Sequence, residues 1–282
     1  MSNDLVSTDW LDKHLNSPDI AILDASWHMP ATKRNAAEEF RAAHIPGAQF
    51  FDIDENSDTS SVLPHMLPVP EKFSSRMRKL GIGDGKRVIA YDSTGLFSAA
   101  RCWWMFKVFG HEDVAVLDGG LKKWLAESRA IEEGPARRPQ ERHFTARYRG
   151  LLVKDMKDVA AALAQGSAQL ADARSPTRFR GEEPEPRPGV RAGHMPGARN
   201  VHYATLLNPD GTLKSPEALV QVFQAAGIDL SHPVITTCGS GITAAILTLA
   251  LTVTGARDHA LYDGSWTEWG GNPDVAVAEG GA

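Results

Sequence analysis

The chain has 282 residues, with 30 basic and 35 acidic side chains and a formal net charge of −5, and 42% of its residues are hydrophobic. This length is typical of about two domains. The composition is that of a globular protein that buries a core, which excludes disorder as the main state. The mildly negative charge argues against a general nucleic-acid-binding protein.

The sequence lacks the usual signals for targeting, membrane insertion and disulfide cross-linking. The first thirty residues contain one Lys, no Arg and five Asp, which fits neither a secretory signal peptide nor a mitochondrial presequence. The longest apolar stretch, residues 244–253, is too short to span a bilayer. Two cysteines cannot form a disulfide framework or a four-cysteine zinc site. We therefore expect a soluble cytoplasmic protein with no membrane segment and no metal site.

Three short motifs occur twice, in the same order. The pairs are His44–Ala48 and His194–Ala198, offset by 150 residues, Ile22–Ala25 and Leu170–Ala173, offset by 148, and Asp118-Gly119 with Trp124 and Asp263-Gly264 with Trp269, offset by 145. Offsets that agree this closely predict tandem copies of one domain rather than a solenoid, which repeats at shorter intervals. Residues 132–150 are rich in Pro, Arg, Glu and Gly, which is typical of a linker. We therefore predict a first domain over residues 1–145 and a second over residues 146–282.

Each copy alternates short apolar runs with helical patterns. In chain order we predict a strand at 21–23, a helix at 71–80, a strand at 88–91 and a helix at 99–106, then a strand at 168–171, a helix at 216–226 and a strand at 234–237. Gly81 and Gly227 stand where the two longer helices should end. The alternation predicts an α/β fold in which each domain is a mostly parallel sheet with helices on both faces. Ligands bind such sheets beyond the carboxyl ends of their strands.

Cys238 stands where such a ligand would bind. It directly follows the apolar run Val234–Thr237 and precedes Gly239, Ser240 and Gly241, after which an apolar helical pattern begins. Two glycines let the backbone curl so that its amides point inward as an anion-binding nest, and the following helix adds positive potential. Such surroundings favour the thiolate, which is the nucleophilic form of cysteine. The alternative is a buried, inert cysteine, but this context favours a nucleophile.

The other cysteine and the matching loop of the first copy differ from this pattern. Cys102 lies in the apolar helical run Ala99–Phe106 and is predicted to be a small core residue. In the first copy, Asp92 takes the position of Cys238, at an offset of 146 residues. We therefore expect one active site, supplied mainly by the second domain and covered by the first.

The chain resembles the two-domain rhodanese-type sulfurtransferases. The resemblance spans nearly the whole length and includes both His-x-Pro-Gly-Ala motifs, Leu117–Gly120, the cysteine loop and Leu261–Trp266. Within that family, the loop Cys-Gly-Ser-Gly-Ile-Thr is similar to that of the 3-mercaptopyruvate sulfurtransferases, whereas thiosulfate-preferring relatives carry Arg and Lys directly after the cysteine. Two cationic side chains suit a dianion such as thiosulfate, so Gly239 and Ser240 favour mercaptopyruvate as the donor.

The resemblance implies a proton relay beside the cysteine. The segments Phe50–Asp54 and His65–Pro68 resemble the part of the family that supplies an Asp and a His to the active site. Asp54, His65 and Ser240 would then form a Ser-His-Asp relay. Leu63-Pro64, directly before His65, departs from the Tyr-Asp of some relatives. The alternatives are an exposed spectator for His65 and a turn cap for Asp54.

The resemblance also implies a substrate-binding set. Arg178 and Arg187 correspond to two family arginines that are expected to bind the carboxylate and ketone oxygens of the substrate. The amides of the cysteine loop would stabilise the anionic sulfur, and the residues expected to bind there are Gly239, Gly241, Ile242 and Thr243. The alternative for both arginines is that they are surface cations paired with Glu182, Glu183 and Glu185.

The implied reaction moves sulfur from 3-mercaptopyruvate to Cys238 and releases pyruvate. The persulfide sulfur then passes to a thiol acceptor, such as thioredoxin or a small thiol, or to cyanide, and no metal or organic cofactor is needed. One alternative is a thiosulfate sulfurtransferase with the same persulfide chemistry.

Two other classes of protein fit the sequence less well. A Cys-dependent phosphatase would need Arg where Ala244 stands. A binding module without catalysis is disfavoured by Cys238 in the second domain, although Asp92 makes that role apt for the first. His44 and His194 occur in both copies and are expected to be structural.

Overall fold

The computed structural model describes residues 4–281 and divides the chain into two compact units. The first unit comprises residues 1–59, 67–149 and 208–213, and the second comprises residues 60–66, 150–207 and 214–282. Each unit is therefore discontinuous in sequence, because a short segment from each half of the chain belongs to the unit formed mainly by the other half. The predicted domains, residues 1–145 and 146–282, assume a single boundary between two continuous segments. These limits stay a prediction.

The first unit is built on one five-stranded sheet. Its strands β1 to β5 are Leu5–Val6, Ile20–Asp24, Gln49–Phe50, Arg87–Tyr91 and Val114–Leu117, and its helices α1 to α6 are Thr8–His14, Ala36–Ala42, Ile53–Asn56, Pro70–Lys79, Ala99–Val108 and Gly120–Ala126. The strand order is β1-β5-β4-β2-β3, and every pair is parallel. A parallel sheet requires a crossover between successive strands, and the helices supply most of these connections.

The second unit repeats this plan. Its strands β6 to β10 are Val153–Lys154, Gln169–Asp172, Arg199–Asn200, Val234–Thr237 and His259–Tyr262, and its helices α7 to α11 are Met156–Gln165, Pro176–Arg180, Pro216–Ala225, Ala244–Thr254 and Ser265–Gly271. The order β6-β10-β9-β7-β8 is parallel throughout and equals the first order strand for strand. The predicted fold class, two tandem parallel α/β domains, is confirmed.

The predicted elements are present close to their expected bounds. All four predicted strands belong to the centres of the two sheets, and the predicted helices correspond to α4, α5 and α9. Gly81 and Gly227 have φ angles of 71° and 78°, in the left-handed region that favours glycine. Their amides donate to the carbonyls of Arg78 and Gln224, which ends each helix as predicted.

The longest apolar helices pack inside their own units. Helix α5 is buried along nearly its whole length, and Cys102 within it has no exposed surface. Its complete burial confirms the prediction that Cys102 is a core residue, and this burial raises the pKa of the thiol well above its ordinary value. Helix α10 is similarly buried. None of the helices that the structure describes between residues 4 and 281 is long and apolar enough to cross a membrane.

The histidines of the repeated motif have the same packing in both units. His44 stacks on Phe40 at 4.0 Å between ring centroids, and its Nδ1 donates to the Phe40 carbonyl at 2.8 Å. His194 stacks on Phe179 at 3.8 Å and donates to the carbonyl of that residue, also at 2.8 Å. Both histidines are buried, and each backbone forms a bridge to a later segment. Their predicted structural role fits this packing.

Candidate active site

Cys238 lies at the carboxyl end of β9, a central strand of the second sheet. The loop of residues 238–243, here called the cysteine loop, connects β9 to α10, whose first residue is Ala244. Gly241 has a φ of 81°, which a residue with a Cβ rarely adopts, and this allows the sharp turn between strand and helix. Cys238 is 3% exposed. Cys238 therefore directly follows a central strand and begins the loop that leads into a buried helix, as the sequence predicted.

The start of α11 holds the carbonyl groups of the cysteine loop. The Trp266 amide donates to the Cys238 carbonyl at 2.9 Å, and the Thr267 amide and hydroxyl donate to the Gly239 carbonyl at 2.9 and 2.6 Å. The Cys238 amide donates to the Ser265 hydroxyl at 3.4 Å. Because the parallel strands β9 and β10 are neighbours, their carboxyl ends bring the cysteine loop and α11 together.

The amides of the cysteine loop are available to an anion. Within residues 4–281, the backbone N–H groups of residues 239–243 donate to no protein acceptor. Unpaired donors in a buried turn at a helix amino terminus form the kind of nest that binds negative charge. The loop therefore offers several donors to whatever anion approaches Cys238.

Ser240, His65 and Arg187 meet beside the cysteine loop. His65 Nδ1 lies 3.0 Å from Ser240 Oγ and 3.3 Å from the Ser240 carbonyl oxygen, and both side chains are buried. Arg187 Nη2 donates to Ser240 Oγ at 3.4 Å. His65 has a φ of 61°, so its backbone is held in a conformation that is uncommon outside glycine. A serine hydroxyl within hydrogen-bonding reach of an imidazole can exchange a proton with it.

Asp54 belongs to the first unit, in the short helix α3. Its Oδ2 accepts a hydrogen bond from Trp27 Nε1 at 3.1 Å, and its side chain is largely exposed. The cap of α3 is Asp52, whose side chain accepts from the Glu55 amide. Its place in the relay stays a prediction.

Arg178 lies against the backbone of the cysteine loop. Its Nη2 is 3.1 Å from the position that a Cβ of residue 239 would occupy, so only glycine leaves full room for the guanidinium there. Arg178 also pairs with Glu185 through Nε and Nη2. The two predicted arginines thus reach the loop at different residues, Arg178 at Gly239 and Arg187 at Ser240.

A buried ion-pair network behind Arg178 was not predicted from the sequence. Arg174 is 2% exposed and donates to both carboxylate oxygens of Asp172 and to Glu185. Its guanidinium stacks on Trp266, with Cζ 4.5 Å from the ring centroid. Burial opposes the positive charge, but the two carboxylates outweigh it and raise the pKa of Arg174. The only sequence signal for this network was the position of Arg174, a charged residue two positions after the end of a buried strand.

The matching loop of the first unit contains its own anion. The buried Asp92 carboxylate accepts hydrogen bonds from the amides of Thr94, Phe97, Ser98 and Ala99 at 2.7 to 2.9 Å. These donors lie at the amino end of α5, which corresponds to α10. The same kind of loop therefore binds an internal carboxylate in one unit and presents unpaired amides in the other.

Comparisons with known proteins agree with the duplicated fold. Residues 7–127 and 155–272 each match the rhodanese-like domain family. A 3-mercaptopyruvate sulfurtransferase of Escherichia coli K12 is 45% identical over 273 residues, which cover 96% of each chain. A thiosulfate sulfurtransferase of Rattus norvegicus is 42% identical over 285 residues, 98% of this chain and 95% of the rat protein.

A solved structure adds the fold-level comparison. The crystal structure of a 3-mercaptopyruvate sulfotransferase from Escherichia coli matches with a TM-score of 0.86 and 43% identity, covering 93% of this chain and 98% of the other. The family matches span most of the chain, and the relatives match along nearly their full length. The chain belongs to the rhodanese-like family, in its two-domain sulfurtransferase form.

Proposed function

We propose that this protein is a 3-mercaptopyruvate sulfurtransferase that carries sulfur as a persulfide on Cys238. The observation that supports this most directly is the cysteine loop, whose amides are unpaired and whose Gly239 leaves room for the Arg178 guanidinium. A small loop flanked by arginines from outside it suits a donor with one carboxylate at a distance from its sulfur.

The substrate-binding residues are Arg178, Arg187 and the loop residues Gly239, Gly241, Ile242 and Thr243. 3-Mercaptopyruvate has a carboxylate, a ketone and a thiol on a three-carbon skeleton. Arg178 and Arg187 bind the carboxylate and ketone oxygens, because a guanidinium presents paired donors that match such oxygens. This placement directs the substrate sulfur to the Cys238 thiolate, and the loop amides stabilise the negative charge there.

The first half-reaction forms one bond and breaks one. The Cys238 thiolate attacks the substrate sulfur to form an S–S bond, and the C–S bond breaks with its electron pair left on the pyruvate enolate. The proton from the substrate thiol passes to the enolate carbon, which gives pyruvate. Ser240 and His65 carry this proton, and Asp54 is proposed as the third member of the relay.

The second half-reaction returns the enzyme to its starting state. An acceptor thiolate attacks the outer sulfur of the persulfide, takes it up and releases the Cys238 thiolate. Thioredoxin, a small thiol or cyanide can serve as the acceptor. The Cys238 thiolate supplies the electron pair in the first half-reaction and the acceptor supplies it in the second, so the proposed reaction needs no metal or organic cofactor. We place the reaction in the cytoplasm, where thiol acceptors are kept reduced.

A thiosulfate sulfurtransferase is the second candidate. Full-length identity is similar for the relatives named for the two donors, at 45% and 42%, so overall similarity does not choose between them. The cationic groups Arg178 and Arg187 could also attract a sulfonate oxygen.

The test is a direct comparison of the two donors. Pyruvate release from 3-mercaptopyruvate with dithiothreitol is measured beside thiocyanate formation from thiosulfate with cyanide. We expect kcat/KM to favour mercaptopyruvate by at least about a hundredfold, which is a difference of about 3 kcal/mol in transition-state binding. A preference for thiosulfate would keep Cys238 as the nucleophile but overturn the donor.

A further inference from the structure

Glu185 lies between two arginines beside the proposed substrate site. Its Oε1 accepts from Arg174 Nη1 at 2.8 Å and from Arg178 Nε at 3.2 Å, and its Oε2 accepts from Arg178 Nη2. The Glu185 side chain is only 4% exposed. A carboxylate with this little exposure and two cationic partners has a fixed orientation.

Arg174 anchors Glu185 to the central sheet. Its guanidinium donates to Asp172, the last residue of β7, through Nε and Nη2 at 2.7 to 3.1 Å, and to the Gly193 carbonyl at 2.9 Å. The ring of Trp266 covers one face of the guanidinium. Arg174 is therefore fixed on several sides, and its Nη1 presents a rigid donor to Glu185.

Arg178 has one edge bound and the other edge turned to the cysteine loop. Nε and Nη2 face Glu185, whereas Nη2 and Nη1 lie 3.1 and 3.9 Å from the position of a Cβ on residue 239. Glu185 is the only side chain that accepts from this guanidinium within residues 4–281. The edge that faces the loop still has N–H groups to offer to an incoming anion.

We propose that Glu185 is a positioning residue that, anchored by Arg174, aligns the free edge of Arg178 with the cysteine loop for the substrate carboxylate. This inference rests on the proposed function, which assigns the carboxylate to Arg178. Four charges alternate along the network, Asp172, Arg174, Glu185 and Arg178, and the last one is the cation beside Gly239.

The physical advantage of this arrangement is preorganisation. A free arginine side chain has many rotamers, and ordering it when substrate binds would weaken affinity. Glu185 orders the Arg178 side chain before substrate binds, and in doing so it occupies the N–H donors on one edge of the guanidinium. The resulting position favours an anion that approaches the Cys238 loop, where the remaining edge points.

The test is Glu185→Gln with 3-mercaptopyruvate and with pyruvate. Glu185→Gln removes the negative charge and replaces one carboxylate oxygen by an N–H₂ donor, which would face a guanidinium donor, so the paired contact with Arg178 cannot form. Arg178, which has fewer anchors than Arg174, should be released. We expect KM for mercaptopyruvate and Kd for pyruvate, measured by calorimetry, to rise about tenfold or more, with kcat changed less than about threefold.

Glu182→Gln is the matched control. Glu182 pairs with Arg180 at 2.6 and 2.7 Å in the same segment but is largely exposed. Its loss should leave KM within about twofold of the parent value, because exposed ion pairs contribute little. If Glu185→Gln does not fold, Glu185→Asp keeps the charge but shortens the reach, and the same KM and Kd increases are expected.

A double-mutant cycle with Arg178→Ala separates positioning from a general structural role. If Glu185 acts through Arg178, Glu185→Gln should have no further effect on pyruvate Kd in the Arg178→Ala background. An effect that persists there, or a KM and Kd that stay unchanged or fall in the single variant, would overturn the proposal.

The pyruvate titration also separates this inference from the proposed function. A parent protein that binds pyruvate but does not release it from mercaptopyruvate would overturn the proposed donor, while the Kd of Glu185→Gln would still decide the role of Glu185. A parent protein that turns over mercaptopyruvate, with Glu185→Gln indistinguishable from it, would overturn the role of Glu185 alone. A parent protein with neither property would overturn both.

Discussion

The two central loops of the molecule, one per unit, handle negative charge in opposite ways. In the first unit the Asp92 carboxylate accepts hydrogen bonds from four amides of its own loop. In the second unit Cys238 takes the equivalent place, and the amides of residues 239–243 have no protein acceptor within the described chain. The loop amides of the first unit have an acceptor within the protein, whereas those of the second unit have one only when an anion is bound.

The two loops also differ in the short segment that each unit receives from the other half of the chain. In the first unit, residues 208–213 approach the loop so closely that a Cβ on Gly95 would lie 3.0 Å from the Gly211 Cα. The Leu213 amide also donates to Asp118 at 2.7 Å, which holds this segment in place. In the second unit, residues 60–66 instead supply His65, which contacts Ser240.

The same fold serves stability in the first unit and anion binding in the second. A buried donor without an acceptor is unfavourable, so Asp92 stabilises its unit by satisfying the nest. The second unit leaves its nest unsatisfied, which lowers stability but allows a reacting sulfur anion to be bound. The following predictions break or sharpen this contrast, beginning with the largest expected effect.

Replacing Cys238 should remove turnover altogether. Cys238→Ser should lower kcat/KM by at least about a thousandfold, because the hydroxyl is a far weaker nucleophile than a thiolate. Cys102→Ala should retain most activity, since Cys102 is a core residue of the first unit. Steady-state pyruvate release measures both variants, and substantial turnover by Cys238→Ser would contradict covalent catalysis at this loop.

Replacing Asp92 should destabilise the first unit and leave the chemistry unchanged. Asp92→Ala removes the acceptor for four amides and should lower the free energy of unfolding of that unit by about 4 kcal/mol. Native-state hydrogen exchange of α5 amides reports this unit separately. Asp113→Ala, at a more exposed carboxylate of the same unit, is the control. Unchanged protection in Asp92→Ala would show that the filled nest contributes little.

Replacing Ser240 should slow the chemical step. Ser240→Ala should lower kcat by about a hundredfold, because the hydroxyl is placed to pass a proton to or from His65. His65→Gln should have a similar effect, and the double variant should be no worse than the single ones if the two residues act together. An unaltered kcat and pH–rate profile in Ser240→Ala would remove the relay.

The contribution of Asp24 to stability should depend on pH. Burial raises the pKa of Asp24 from 3.8 to about 6, while Asp172 is paired with Arg174. Because the folded state binds the Asp24 proton more tightly than the unfolded state does, this carboxyl favours folding most below pH 4. That contribution is lost as pH rises through about 6, and the difference is about 3 kcal/mol.

Asp24→Asn tests this sign. The variant should gain stability relative to the parent at pH 8, compared with pH 4, as measured by hydrogen exchange of the first unit. Asp172→Asn, at the equivalent strand end, should lower stability, because it leaves Arg174 without one of its two carboxylates. Equal stability changes at both pH values in Asp24→Asn would contradict a raised pKa.

The sequence was sufficient for the fold and for the position of Cys238 at the end of a central strand. Repeated motifs and alternating apolar runs depend on local periodicity, so the duplicated parallel sheets were predictable. The placement of Cys238 followed from a strand, two glycines and a helix within a few residues. The correspondence between Asp92 and Cys238 could also be predicted, because it follows from aligning two short repeated segments.

The remaining features depend on contacts between distant residues. The sequence placed one boundary near residue 145, but the units exchange residues 60–66 and 208–213, which only tertiary packing determines. Glu185 was considered only as a surface partner for the arginines, whereas it is buried between Arg174 and Arg178. Burial of a charged side chain is a property of the folded chain and has no local signature.

Sulfur mapping tests the contrast between the two loops most directly. The protein is incubated with 3-mercaptopyruvate without an acceptor, thiols and persulfides are alkylated, and the cysteine peptides are identified by mass spectrometry. We predict one added sulfur atom on Cys238 and none on Cys102, with one pyruvate released per persulfide formed. Pyruvate release without sulfur on Cys238, or sulfur found on Cys102 instead, would contradict the account.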